Sequence, residues 1–134
     1  MRILFIDAVT PKPYDPHVLE TQPLGGSEAT VVRVAEGLAA RGNTVIVKQH
    51  NRTETIEFGV GYLPFGQDAG SFSHVVVLRA PLALYQARKQ FPNAKLYLWN
   101  HDLFGGPGWA EGFKAIVDTQ TVPIVVSEWH KTNM

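Results

Sequence analysis

The residue types best suited to chemistry occur in two short stretches of this chain. The first is Leu24-Gly25-Gly26-Ser27-Glu28, in which two glycines precede a predicted helix. Glycine lets the backbone approach another molecule closely, and the first N–H groups of a helix lack intrahelical partners and attract negative charge. Gly25, Gly26, Ser27 and Glu28 therefore form a candidate seat for phosphate, pyrophosphate or carboxylate. The alternative is an ordinary glycine-rich turn in which Ser27 caps the helix.

The second stretch, Asn100-His101-Asp102, follows a predicted strand and opens a glycine-rich loop that runs to residue 108. A histidine that shares a loop with a carboxylate and several glycines is a candidate functional residue, so His101 and Asp102 are candidates here. The alternative is a loop histidine that packs near Trp99. Two roles are also open for the aromatic residues near this stretch, Trp99, Phe104 and Trp109. They either stack on a sugar ring or cover the core.

Other chemistries have little support in the sequence. The chain has no cysteine and no G-x-G-x-x-G, G-x-x-x-x-G-K-[ST], G-x-S-x-G or Asp-x-Asp motif. The histidines other than His101 lack a second ligand at metal spacing. Asp7 and Glu28 are a candidate pair of acids, but a strand-end acid that caps a loop is the simpler role for Asp7.

Composition indicates one globular domain over residues 1–134, since 45% of the residues are hydrophobic and 18% are charged. The twelve basic and twelve acidic residues cancel, so we expect no nucleic-acid partner. The longest apolar runs have four or five residues, too short for a transmembrane segment. The expected location is cytoplasmic.

The order of predicted elements favours a doubly wound α/β fold. Buried strands are predicted at 2–7, 44–48, 74–79, 95–99 and 123–126, and residues 54–65 are predicted to hold one more. Helices are predicted at 27–41, between Pro81 and Pro92, at 109–117 and from Glu128 onward. The proline-rich residues 8–24 are predicted to be a long loop without a helix. This pattern predicts a Rossmann-like three-layer sandwich, with a mostly parallel twisted sheet and helices on both faces.

In such a sheet, ligands bind outside the carboxyl ends of the strands. Three predicted loops lie at that edge: residues 8–26, 80–81 and 100–108. We therefore expect the glycine stretch and the His101 loop to face one crevice, which favours the anion-binding interpretation.

Several stretches together resemble the N-terminal domain of a GT-B glycosyltransferase, and the closest group is the retaining, group 1 (GT4-like) sugar transferases. The resemblance is carried by the first strand, by Gly25-Gly26-Ser27-Glu28 with its helix, by Asn100-His101-Asp102 and by Val126-Ser127. It covers most of the chain, and residues 54–73 carry little of it.

The resemblance implies an enzyme that moves a sugar from a nucleotide-sugar donor to an acceptor, with retention, without a metal and without a further cofactor. The N-terminal domain of such an enzyme mainly holds the acceptor. Gly25 and Gly26 would offer N–H groups to a phosphate, with Ser27, Glu28 and Asn100 as further ligand-binding residues. His101 would stand near the transferred sugar, and Asp102 would orient its loop.

The family's basic phosphate-binding pair and its paired glutamates belong to a C-terminal domain that these 134 residues do not contain. We therefore expect a fragment or degenerate paralogue that is inactive alone. Without that domain, Trp99, Phe104 and Trp109 are expected to be exposed and to favour self-association. The alternative function is a non-catalytic α/β module that binds a small anion or a partner protein. A receiver-like phosphate acceptor is a weaker variant, because only Asp7 stands at a strand end.

Overall fold

The computed structural model describes residues 1–10, 13–21, 26–50, 52–99 and 109–124. Within these ranges the chain forms a mostly parallel sheet of seven strands, together with four helices. In chain order the elements are β1 (Arg2–Asp7), α1 (Pro16–Thr21), α2 (Gly26–Ala40), β2 (Thr44–Gln49), β3 (Thr55–Glu57), β4 (Val60–Pro64), β5 (His74–Leu78), α3 (Ala83–Gln90), β6 (Lys95–Trp99), α4 (Trp109–Asp118) and β7 (Val122–Ile124).

The strands lie in the order β3-β4-β2-β1-β5-β6-β7, and β3 with β4 is the one antiparallel pair among them. β1 therefore lies in the interior of the sheet, between β2 and β5. Because the other pairs are parallel, β1, β2, β4, β5, β6 and β7 end at the same edge. The predicted α/β class is confirmed.

The β1–α2–β2 unit has the predicted form. α2 begins one residue earlier and ends one residue earlier than the spacing predicts. Gly42 follows the helix with a φ of 93°, its N–H bonds the carbonyl of Ala39, and the N–H of Asn43 bonds the carbonyl of Leu38. This pair of bonds is the Schellman arrangement, which glycine at this position favours, so the predicted helix end is confirmed.

The prediction that residues 8–24 contain no helix is wrong. Pro16 begins α1, and the N–H of Val18 donates to Asp15 Oδ1 at 3.0 Å. Proline suits the first position of a helix, where its missing N–H is not needed, and aspartate is a preferred N-cap. The Asp15-Pro16 pair is thus a helix-start signal, although it lies in a segment with several other prolines.

The prediction of one strand in residues 54–65 is also wrong, because this segment forms β3, a two-residue turn and β4. Phe58 and Gly59 both have positive φ values, 51° and 80°, as in a type I′ turn. Glu57 pairs with Val60 across that turn. Glycine at the second turn position was the signal for a hairpin rather than for a weak strand.

The remaining predicted elements match the structure with shifted ends. β5 ends at Leu78, and β7 begins at Val122. The helix predicted from Glu128 lies outside the described residues. No helix in the described part of the chain is long and apolar enough to cross a membrane.

Two apolar clusters pack against the sheet. One joins Ile3 and Phe5 of β1 to Val31 and Val32 of α2. The other contains Leu4, which lies between those two residues of β1, and draws on α3 and α4. Successive residues of a strand point to opposite faces, so the two clusters divide β1 between them. This packing holds the ends of β1 and β5 and the start of α2 near one another.

Candidate functional site

The structure describes part of the predicted crevice. Gly26 and Ser27 form the start of α2, and Glu28 lies in its first turn. The other predicted site residues, Gly25, Asn100, His101 and Asp102, lie outside the described residues, and their predicted roles stay predictions.

Arg79 connects the elements that meet at this edge. It follows β5, and its Nη2 donates to Thr10 Oγ1 at 3.0 Å and lies 3.8 Å from Glu28 Oε1. Its backbone N–H bonds the carbonyl of Trp99, the last residue of β6. One side chain thus joins the loop after β1 to the first turn of α2, and its backbone ties the same point to the end of β6.

The backbone of Arg79 is strained, with a φ of 56°. A residue with a Cβ pays of order 1–2 kcal/mol for this left-handed conformation, and such residues often occur at functional sites. The Arg79 side chain is 23% exposed, and its described contacts use Nη2 alone. No described residue accepts from Nε or Nη1, so within the described part of the chain these groups can donate to a further acceptor, such as a phosphate or carboxylate.

Asp7 caps the loop that follows β1. Its Oδ1 accepts from the N–H groups of Val9 and Thr10 at 3.0 and 2.9 Å, and its Oδ2 accepts from the Tyr14 hydroxyl at 2.6 Å. The capping role is therefore confirmed, and the pairing of Asp7 with Glu28 stays a prediction. Burial raises the pKa of Tyr14, and the nearby Asp7 carboxylate raises it further, so the phenol stays protonated as a donor.

Gln49 and Arg52 hold Tyr14 and α1 beside this loop. Gln49 exchanges two bonds with the backbone of Tyr14: its Nε2 donates to the carbonyl at 2.8 Å, and its Oε1 accepts from the N–H at 3.2 Å. Arg52 Nη2 donates to Asp15 Oδ2 at 2.8 Å in a buried ion pair. Burial raises the pKa of Asp15, but the bonds from Arg52 and from the Val18 N–H outweigh it, so that this pKa is lowered overall.

The expectation of an exposed aromatic surface is wrong for Trp99. Its side chain belongs to the core, is 6% exposed and lies 6.3 Å from the Phe5 ring, centroid to centroid. Trp99 is the last residue of β6, and its position on the strand turns it toward the cluster that α2 covers. Phe104 and the side chain of Trp109 lie outside the described part of the chain.

Arg79, Tyr14 and Gln49 are the residues at this edge that sequence reasoning missed. Arg79 and Gln49 each stand at the carboxyl end of a buried strand, which is the position where ligand-binding residues of parallel sheets occur. That position was the available signal for Arg79. No local signal marks Tyr14, because its partners are an acid seven residues away and a glutamine 35 residues away.

The described part of the site offers a cation with free donors beside the start of a helix. It can hold an anion by charge and by hydrogen bonds. Comparisons with protein-family models, curated proteins and solved structures found no match to this chain.

Proposed function

We propose that this chain is the N-terminal, acceptor-side half of a retaining, metal-independent glycosyltransferase, which moves a sugar from a nucleotide-sugar to an acceptor. The observation that carries the proposal is Arg79. Its guanidinium lies at the carboxyl edge of the sheet, between Thr10 and Glu28, and has N–H donors that no described residue uses. An anionic sugar or acceptor phosphate needs donors that are already placed, and Arg79 with the start of α2 can supply them.

The proposal includes a Rossmann-like three-layer arrangement. Its support is that α2 shares a core cluster with Ile3 and Phe5, whereas α3 and α4 share one with Leu4. In the same proposal His101 and Asp102 act next to the transferred sugar, and a second domain binds the nucleotide. The 134 residues alone are then expected not to transfer sugar. A cytoplasmic location and self-association also stay predictions.

The test is an NMR titration of the chain with inorganic phosphate, glucose 1-phosphate and UDP. We expect glucose 1-phosphate to shift the amides of Gly26 and Ser27 and the Arg79 Nε resonance, and to bind more tightly than phosphate. Arg79→Gln removes the cation and should weaken binding about tenfold or more, because a hydrogen bond to a charged group contributes roughly 1.5–3 kcal/mol.

Arg33→Gln is the matched control, because Arg33 is an exposed arginine farther along α2, paired with Glu36 at 3.2 Å. It should leave the affinity unchanged. The absence of shifts at millimolar ligand would overturn the proposal. Equal binding of phosphate and of the sugar phosphate would favour the alternative, a non-catalytic module that binds a small anion.

A further inference from the structure

Lys48 has a largely buried side chain, and no described residue pairs with its ammonium group. It is the fifth residue of β2 and is 6% exposed. It makes no hydrogen bond or ion pair with any residue in the described ranges, although Arg52, the other buried cation nearby, is paired with Asp15. An ammonium group with no partner in this part of the chain can donate to an anion that enters the adjoining space.

Lys48 lines a cavity of about 170 Å³ between the sheet and α3. Leu4 and Ile6 of β1 form apolar parts of its lining, and Ile6 is the direct neighbour of Lys48 in the parallel pairing of the two strands. Phe65, which follows β4, adds an aromatic wall. The cavity thus combines one cation with a mainly hydrocarbon surface.

The helix side of the cavity explains why it is open. Ala83, Gln86, Ala87 and Gln90 line it, and their spacing of three, four and seven positions places them on one face of α3. The two alanines are too small to fill the space above Lys48. The two glutamines carry amide groups that can donate to an acceptor inside the cavity.

None of the described residues that line the cavity is acidic, so an anion for Lys48 must come from outside this set. One ammonium group matches one negative charge, whereas the apolar lining disfavours a dianion such as phosphate. Cavities of about 150 Å³ admit molecules of the size of benzene. The space therefore fits a compact organic monoanion.

We propose that this cavity binds a small organic carboxylate, with its carboxylate on the Lys48 ammonium group and its hydrocarbon part against Leu4, Ile6 and Phe65. This site is independent of the proposed sugar-transfer function. Lys48 and Gln49 are adjacent in β2, so they point to opposite faces of the sheet, and Gln49 belongs to the Tyr14 side.

The experiment is a titration of the full chain with benzoate and with its neutral isostere benzamide, followed by NMR. We expect benzoate to shift the amides of Ala83 and Ala87 and the Lys48 side-chain resonances in the millimolar range. Lys48→Met keeps a long, unbranched side chain, one atom shorter, and removes the charge. It should weaken benzoate binding about tenfold or more and should abolish the preference for benzoate over benzamide.

Lys89→Met is the matched control, because Lys89 is an exposed lysine on α3, and it should bind benzoate like the unaltered chain. Ala83→Leu is a second test if Lys48→Met unfolds the protein, since a larger side chain at this partly exposed position should obstruct the cavity and weaken binding. Benzoate shifts that persist unchanged in Lys48→Met or in Ala83→Leu, equal shifts with benzamide, or no shifts at all would overturn the proposal.

Discussion

At the scale of single residues, two buried tyrosines show that a hydrogen bond decides how much a buried polar group contributes to stability. Tyr14 and Tyr62 are 1% and 0% exposed. The Tyr14 hydroxyl donates to Asp7, whereas the Tyr62 hydroxyl has no partner among the described residues. Burial raises the pKa of both phenols, with a further rise from Asp7 at Tyr14 and from Glu36 at Tyr62. Both are therefore neutral at pH 7.

The same substitution should thus have different effects at the two positions. Tyr14→Phe leaves a buried carboxylate oxygen of Asp7 without its donor, and we expect the free energy of unfolding to fall by about 1–3 kcal/mol. Tyr62→Phe removes a buried hydroxyl that has no described hydrogen-bond partner. We expect the free energy of unfolding to change by less than about 1 kcal/mol or to rise slightly. Urea unfolding of the two variants measures both values. A loss at Tyr62 as large as that at Tyr14 would contradict this account.

At the scale of elements, the β3–β4 hairpin carries a residue that does not suit its turn. Phe58 is 70% exposed and has a φ of 51°, while Gly59 supplies the second positive φ. Asparagine tolerates the left-handed conformation better than other residues with a side chain, and Asn-Gly is the preferred pair in a type I′ turn. The exposed Phe58 ring offers little burial to offset the strain.

Phe58→Asn should therefore stabilise the protein by up to about 1 kcal/mol, and Gly59→Ala should destabilise it by about 1 kcal/mol. Ile56→Asn is the matched control, because Ile56 is 75% exposed and lies within β3, where asparagine is unfavourable. Thermal unfolding gives the ranking. If Phe58→Asn and Ile56→Asn destabilise equally, the turn conformation is not the cause.

At the scale of the whole molecule, the buried pair of Asp15 and Arg52 links α1 to the segment that leads into β3. Arg52 also donates to Thr55 Oγ1 at 2.7 Å, and its guanidinium lies 5.1 Å from the Tyr62 ring centroid. One ion pair thus connects the segment after β1 to the edge of the sheet that β3 forms. The charge state of Asp15 should therefore affect the free energy of unfolding of the whole chain.

Acid should weaken the fold through Asp15. Its pKa is lower in the folded chain than its ordinary value of 3.8, so its stabilisation is complete above that value and is lost as the pH falls through the lower folded value. The pKa of Glu57 is raised by burial and then by Asp15. As the pH falls, Glu57 therefore takes up its proton before Asp15 does, and this uptake stabilises the folded state.

Asp15→Asn keeps a capping side chain but removes the charge, so it should cost roughly 3 kcal/mol near pH 7 and progressively less as the pH falls below 4. Denaturant unfolding across this pH range measures the difference from the unaltered chain. Glu54→Gln, at an exposed carboxyl nearby, is the control and should show no such dependence. A constant cost of Asp15→Asn at every pH would contradict the assignment.

Much of the α/β pattern could be predicted from the sequence, because the signals act over a few residues. The apolar stripe of α2, its Gly42 end and the buried strands each depend on neighbours within about two helical turns. The two errors, at α1 and at the β3–β4 hairpin, also had local signals, Asp15-Pro16 and Phe58-Gly59. At α1 the helix-start signal lies among several prolines, and in the hairpin the glycine serves the turn and does not weaken a strand.

The sequence by itself determined the fold class and the edge of the sheet where functional residues should gather. Only the tertiary structure decided which side chains meet there. Arg79 and Thr10 are 69 positions apart, and they come into contact because β1 and β5 are parallel neighbours that end at one edge. The burial of the Lys48 side chain and the core position of Trp99 have the same origin. Burial and pairing depend on what packs from distant parts of the chain, which no local pattern encodes.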